Sequence, residues 1–251
     1  MTERDWSRLG LARDLCAGMA RRHGAALLLG GVYGSVARGE ETAWSDVELL
    51  FVTRDGQGFP GRHLLYRGVA VGYEVLEEGA LRAQLAHPSA DWPFRMGVLS
   101  GLTVLHGSEA LRDEYLALGR SAPPEAFRAA LARAAPGLVV ESYGRMHSCL
   151  ERGYTDALHV SAIEVLLEMG TALCLLNGRW VTRDYLAGLN EAATFPLLPD
   201  GYARLAAELW RERDAARSVA LADALVAGYW RLLRQEGVPV RNAQTLDELL
   251  A

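Results

Sequence analysis

The feature that most constrains the fold is a change in the spacing of apolar residues near the middle of the chain. Before this point, short apolar runs bounded by glycine and polar residues predict β-strands. We place these strands at residues 25–33, 46–52, 64–76 and 102–106. The segment Ser121-Ala122-Pro123-Pro124 then breaks the pattern.

Beyond this break, alanine, leucine, arginine and glutamate recur at helical spacing. The predicted helices lie near 125–152, 156–177, 182–192, 200–214, 217–236 and 243–250, and Pro136 is expected to kink or split the first of them. A further amphipathic helix at 4–23, which includes Trp6, opens the chain. We therefore predict an α/β domain with a mixed sheet and flanking helices at 1–122, followed by an all-α helical domain at 123–251.

Composition excludes several classes of protein. A formal net charge of −5 argues against a protein that wraps a nucleic-acid backbone and favours a cationic small molecule as partner. The three cysteines are odd in number and far apart, which predicts neither a disulfide framework nor a zinc cluster: Cys16, Cys149 and Cys174. We find no secretory signal and no uninterrupted apolar run of about 18 residues. We therefore expect a cytoplasmic protein that spans no membrane.

A glycine-serine turn follows the first predicted strand. Gly34 lets a ligand approach the backbone closely, and Ser35 is a residue type that often caps a helix N-terminus. Exposed amide hydrogens at such a point attract phosphate. Arg38, one turn later, is placed to reach the same anion. This turn is therefore a candidate phosphate-binding element.

Three acidic residues follow on predicted strands. Asp46 and Glu48 are two positions apart, so their side chains point to the same side of a strand. Glu74 lies in the next predicted strand. Carboxylates of this kind suit magnesium, and three of them would allow one or two ions. The alternative is that Asp46 and Glu48 line the solvent face of an edge strand.

The combination of Gly34-Ser35, a ten-residue spacer, Asp46-Val47-Glu48 and the later Glu74 resembles the nucleotidyltransferase superfamily that shares the DNA polymerase β palm. The closer resemblance is to the aminoglycoside 4'-O-nucleotidyltransferases, the kanamycin nucleotidyltransferase family. Two further stretches, Asp91-Trp92-Pro93 and Leu198-Pro199-Asp200-Gly201-Tyr202, are similar to that family. These similar stretches are spread over most of the chain, and the sequence identity to that family is low in the segments between them.

The resemblance implies transfer of a nucleoside monophosphate from ATP or another triphosphate to the 4'-hydroxyl of aminoglycosides such as kanamycin, tobramycin or amikacin, which gives antibiotic resistance. It implies that Glu141 is the general base and that Arg145 contacts the nucleotide phosphates. Acids near the cleft, Glu74, Glu141 and Asp91, would bind the cationic drug. The resemblance also implies a homodimer with active sites at the subunit interface.

Taken from the residues themselves, Glu141 and Arg145 are four positions apart and share one face of a helix, so an exposed ion pair is the alternative interpretation. Two other functions stay open. One is a nucleotidyltransferase of the same fold that acts on a protein or RNA acceptor. The other is a non-catalytic, antitoxin-like module.

Overall fold

The structure is a computed structural model in which residues 7–250 are described. Their contacts divide into two compact units. The first runs up to His87 and resumes at Phe94–Ala122, and the second contains Pro88–Pro93 and the chain from Pro123 onwards. This division differs from the predicted split in residues 88–93, and the assignment of 1–122 and 123–251 as domains stays a prediction.

The first unit is built on a five-stranded mixed sheet. Its strands are β1 (Leu27–Tyr33), β2 (Val47–Thr53), β3 (Arg62–Tyr66), β4 (Val69–Glu77) and β5 (Thr103–His106), in the order β3-β4-β2-β1-β5. Strands β2 and β4 are parallel, and the other neighbouring pairs are antiparallel. The sheet thus has the mixed character that the sequence predicts.

The single strand predicted at 64–76 is wrong, because this segment forms a hairpin. Strands β3 and β4 are joined by the two residues Arg67 and Gly68, and Tyr66 pairs with Val69 across the turn. Both turn residues have positive φ, at 50° and 80°. This is the backbone geometry that a tight two-residue hairpin requires.

Five helices of the described chain accompany the sheet. They are α1 (Arg8–His23), α2 (Gly34–Arg38), α3 (Glu78–Ala86), α4 (Trp92–Ser100) and α5 (Glu109–Arg120). The predicted opening helix is present from Arg8, and Trp6 lies outside the described residues. Helices α3 to α5 were not predicted; α3 and α4 have only nine residues each, too few for a clear helical period.

One apolar cluster of the first unit lies on one face of the sheet. Val47, Leu49 and Phe51 alternate along β2 and are each 0 % exposed. They pack in one cluster with Ala12 and Cys16 of α1. Because strand side chains alternate, this core leaves the intervening residues of β2 for the opposite face.

The second unit is helical, as predicted. Its helices are α6 (Pro124–Ala134), α7 (Val140–Glu151), α8 (Thr155–Asn177), α9 (Tyr185–Ala192), α10 (Tyr202–Arg211), α11 (Ala215–Gln235) and α12 (Leu246–Leu250). The segment predicted at 125–152 is split around Pro136 into α6 and α7. The fold class, an α/β part followed by a helical part, is confirmed.

Helix α8 is the centre of this unit. It is long and apolar enough to cross a bilayer, but 56 % of its most apolar window is buried inside the protein. Such burial is typical of a core helix and gives no indication of a membrane protein. Trp92 is 1 % exposed in the same unit and packs edge-on against Phe127 and Trp180, with ring centroids 4.7 and 5.9 Å away. The Asp91-Trp92-Pro93 stretch thus contains a packing anchor.

Candidate functional site

The three predicted strand acids share one face of the sheet. Glu48 on β2 pairs in register with Tyr33 on β1, and Leu50 pairs with Glu74 on β4. Register partners point to the same side of a sheet, and so do residues two positions apart on one strand. Asp46 lies two residues before Glu48. Asp46, Glu48, Glu74 and Tyr33 therefore face away from the apolar cluster that contains Phe51.

A cavity of about 690 Å³ opens on this face, and its lining comes entirely from the first unit. Asp46, Glu48, Glu74 and Tyr33 line its polar part. The β3–β4 hairpin and the 61 % exposed ring of Phe94 supply much of the remaining wall. The volume lies in the range of small-molecule sites in proteins. The fold thus gathers all three predicted acids around one cavity.

Tyr33 is a cavity residue that the sequence analysis missed. Burial raises the pKa of its hydroxyl, and the negative charges of Glu48, Glu74 and Asp46 raise it further, while Arg95 opposes them. The phenol therefore stays protonated at neutral pH and can donate a hydrogen bond into the acidic cavity. Its position directly before Gly34, at the end of β1, is the signal that could have identified it.

Arg95 is the second missed residue, and it changes the role of Glu74. Arg95 Nη1 and Nη2 donate to the two carboxylate oxygens of Glu74 at 2.6 and 2.8 Å, and Arg95 Nε donates to Gln84 at 3.2 Å. Arg95 is buried, with 7 % exposure. It is the one charged residue of α4, whose sequence is WPFRMGVLS, and a single charge in an apolar helix is a usable signal.

The predicted convergence of three carboxylates on one ion is not seen. Within residues 7–250, no group of three histidine, cysteine, aspartate or glutamate side chains is arranged to hold a metal ion. Glu74 is held by Arg95 instead. Its assignment as a metal ligand stays a prediction.

Asp46 and Glu48 form the donor set that fits a divalent ion. Asp46 is exposed, Glu48 is half-buried, and both line the cavity. Magnesium in nucleotide-dependent enzymes is commonly held by one or two carboxylates together with substrate phosphates. Two neighbouring carboxylates on one sheet face satisfy that requirement.

Gly34 provides the space that Glu48 occupies. Its φ is +71°, and a Cβ at this position would lie 2.7 Å from Glu48 Oε2. The backbone conformation disfavours a side chain here, and the Glu48 carboxylate would have to shift to make room for one. The group next to Gly34 is the Glu48 carboxylate, and the predicted approach of a phosphate to Gly34 stays a prediction.

The predicted capping role of Ser35 is wrong. Helix α2 begins at Gly34, its N-cap is Tyr33, and no side chain caps it. Ser35 is therefore the second residue of the helix, where its hydroxyl is not needed as a cap. Arg38 at the end of α2 donates from Nε to Glu40 Oε2 at 2.9 Å. Phosphate contacts by Ser35 and Arg38 stay predictions.

Replacing Gly34 with alanine tests this packing. We expect a loss of stability of about 1–3 kcal/mol, because a Cβ would strain the positive-φ backbone and displace the Glu48 carboxylate. Thermal unfolding measures the loss. A matched Gly39→Ala variant keeps the positive-φ penalty but has nothing within 4 Å of its added Cβ. Equal losses in the two variants would contradict a specific role for the Gly34–Glu48 contact.

Two predicted residues of the second unit, Glu141 and Arg145, lie in one ion-pair cluster. Arg145 donates to Glu141 Oε1 at 2.7 Å and to Glu164 Oε2 at 2.6 Å. The side chain of Glu141 is 76 % exposed. The exposed ion pair that the spacing allows is therefore present, and the Glu141 carboxylate is open to solvent. Asp91 is also exposed and directly precedes Trp92.

Comparison with known proteins bears on the fold. No protein-family model and no curated protein sequence matches the chain. Among solved structures, a nucleotidyltransferase-like protein from Exiguobacterium sibiricum 255-15 matches with a TM-score of 0.51, covering 90 % of this chain and 74 % of that chain. The fold is nucleotidyltransferase-like. At 15 % sequence identity, this likeness shows the fold alone. It identifies neither the acceptor nor a metal ion.

Proposed function

We propose that the protein is a magnesium-dependent nucleotidyltransferase that modifies the 4'-hydroxyl of aminoglycosides. The observation that carries the proposal is the set of acids, Asp46, Glu48 and Glu74, on the rim of one cavity beside the Gly34 turn. The nucleotidyltransferase-like architecture supports the reaction class. The acceptor and the resistance role rest on the sequence resemblance and on the net charge of −5.

Asp46 and Glu48 would hold the magnesium ion, which when bound supplies positive charge to the triphosphate and its leaving pyrophosphate. In this proposal Ser35 and Arg38 bind the outer phosphates, and Arg38 exchanges its bond to Glu40 for a phosphate oxygen. The Gly34 turn leaves room for the half-buried Glu48 carboxylate at the same place. The neutral Tyr33 hydroxyl would be available to donate a hydrogen bond to a ligand bound beside these acids.

The acceptor step follows from the resemblance. The 4'-hydroxyl loses its proton to Glu141, its oxygen forms a bond to the α-phosphorus, and the bond to pyrophosphate breaks. Arg145 offsets charge on the phosphates. The exposed Glu141 carboxylate is able to accept a proton from a bound ligand. Glu74 and Asp91 would contribute to binding the amines of the drug.

Pyrophosphate release tests the proposal. We expect release when the protein is mixed with magnesium, ATP and kanamycin or tobramycin, and no release with an aminoglycoside that lacks the 4'-hydroxyl. Other triphosphates in the same assay identify the preferred nucleotide. An Asp46→Asn variant is the control, and it should be inactive because it removes one of the two ion-binding carboxylates.

Release with no member of the panel would overturn the aminoglycoside assignment. Equal release with and without a 4'-hydroxyl would overturn the regiochemistry while leaving the reaction class intact. We further propose that the enzyme is cytoplasmic, as its few scattered cysteines suggest, and that it is a homodimer, as the resemblance implies.

A further inference from the structure

The segment that begins helix α7 has an unusual backbone. Val139 has φ +73° and ψ −42°, and the amide of Val140 donates to the carbonyl of Leu138 at 2.9 Å. This is a γ-turn centred on Val139, of the rare positive-φ form that is strained. Positive φ is a true outlier for a β-branched residue. Val139 is also completely buried, so its side chain fixes the turn in the core.

A carboxylate from the neighbouring helix α8 holds this turn. The Val139 amide donates to Glu168 Oε2 at 2.9 Å. The Ser142 hydroxyl donates to the same oxygen, and Ser142 is buried at 1 % exposure. A negative charge at a helix N-terminus is favourable, because the helix dipole is positive there. Glu168 thus ties the first turn of α7 to α8 at two points.

Glu141 lies between these two points. Its backbone is held from Val139 on one side and from Ser142 on the other, while its own carboxylate remains exposed. The position of its backbone is therefore set by contacts that Glu141 does not itself make, while its carboxylate accepts a hydrogen bond from Arg145. Catalytic groups gain from being held in position before the substrate arrives.

A helix of this chain can begin without such strain. Helices α1, α5 and α11 each start from an extended residue whose own side chain accepts a backbone amide hydrogen bond: Ser7, Ser108 and Asp214. Of the four helices α1, α5, α7 and α11, only α7 has both a strained N-cap residue and a carboxylate from another helix bound at its start. The arrangement exceeds what starting a helix requires, and strained backbone tends to cluster at functional sites.

We propose that Glu168, acting through the γ-turn at Val139, is a positioning residue that orients Glu141 toward the acceptor hydroxyl. This inference rests on the proposed function, in which Glu141 accepts the proton. Glu168 itself is hydrogen-bonded to α7 and takes no part in the chemistry.

The test compares Glu168→Gln with a matched control, Glu191→Gln. Glu191 is a carboxylate in the same unit that likewise accepts from one backbone amide and one hydroxyl, both of Thr182. We expect Glu168→Gln to lower kcat by about ten- to a hundredfold with KM for the triphosphate within about twofold, as misorientation of a catalytic group does. Glu191→Gln should retain the wild-type kcat. Equal effects in the two variants would overturn the proposal.

A double-variant cycle separates positioning from general destabilisation. In a Glu141→Gln background, Glu168→Gln should cause no further loss of kcat, because the residue through which it acts is already removed. Independent, multiplicative losses would overturn the proposal. A Ser142→Ala variant removes one of the two anchors and should give a smaller loss in the same cycle, which provides a second route if Glu168→Gln does not fold.

Hydrogen exchange of the backbone amides at 139–143 tests the anchoring without any turnover. We expect faster exchange there in Glu168→Gln than in wild type, and no change at these amides in Glu191→Gln. Unchanged exchange in Glu168→Gln would overturn the anchoring even if the enzyme is active. An inactive wild type with the expected exchange would instead overturn the proposed function and leave the anchoring intact.

Discussion

Replacing Glu48 with glutamine should lower the rate of nucleotidyl transfer by at least about a hundredfold, the size of effect seen when a group that stabilises transition-state charge is removed. The substitution keeps the shape of a side chain that lies beside Gly34 and lines the cavity. It removes the negative charge with which Glu48 and Asp46 would bind magnesium. We therefore expect a variant that folds normally and requires much more magnesium.

Steady-state turnover across a magnesium titration measures this effect, and thermal unfolding checks the fold. Glu114→Gln makes the same chemical change in the same unit, where Glu114 pairs with Arg82 on the surface. This control should keep full activity. A Glu48→Gln enzyme with wild-type turnover at low magnesium would rule out the assignment of Glu48 as an ion ligand.

Replacing Arg95 with glutamine should destabilise the first unit by about 2 kcal/mol. The substitution leaves the Glu74 carboxylate without its bidentate partner. Loss of one member of a buried ion pair costs about 3–5 kcal/mol, and a smaller loss is expected here because the Glu74 side chain is 38 % exposed and water can solvate it. Chemical denaturation with a single transition in each variant gives the free energy of unfolding.

A second substitution identifies the cause of that loss. Glu74→Gln in the Arg95→Gln background should restore part of the stability, because the uncompensated negative charge is then gone. Arg112→Gln is the control, since Arg112 is also largely buried but pairs with the exposed Asp113. If the double variant is no more stable than Arg95→Gln, the ion pair is not the source of the effect.

Local patterns predicted the parts of the fold that depend on neighbouring residues. The apolar run of residues 46–52 identified β2, in which every residue except the half-buried Glu48 is buried. The hairpin between β3 and β4 was missed, because only the two residues Arg67 and Gly68 separate its two apolar strands. The two strands therefore read as one apolar segment. Helices α3 and α4 were missed because nine residues show too little of a helical period.

The candidate site was predictable to the extent that it lies in one motif. Gly34, Asp46 and Glu48 fall within 15 residues of the sequence, and the β1–β2 pairing brings them together. Arg95 was not predictable in this way, since it reaches Glu74 across 21 positions through the packing of an unpredicted helix. The Glu168 contacts with α7 likewise cross 26 and 29 positions. Long-range polar contacts of this kind leave no local period in the sequence.

Residues on the two sides of β2 and of the segment just before it have different roles. Val47, Leu49 and Phe51 maintain the architecture, while Asp46 and Glu48 on the other side contribute nothing to that apolar cluster. Under the proposed function, a descendant that had lost both acids would keep that apolar cluster but would lack the two carboxylates proposed to hold magnesium. Inactive relatives of such a chain should accordingly be sought by the identity of these two positions.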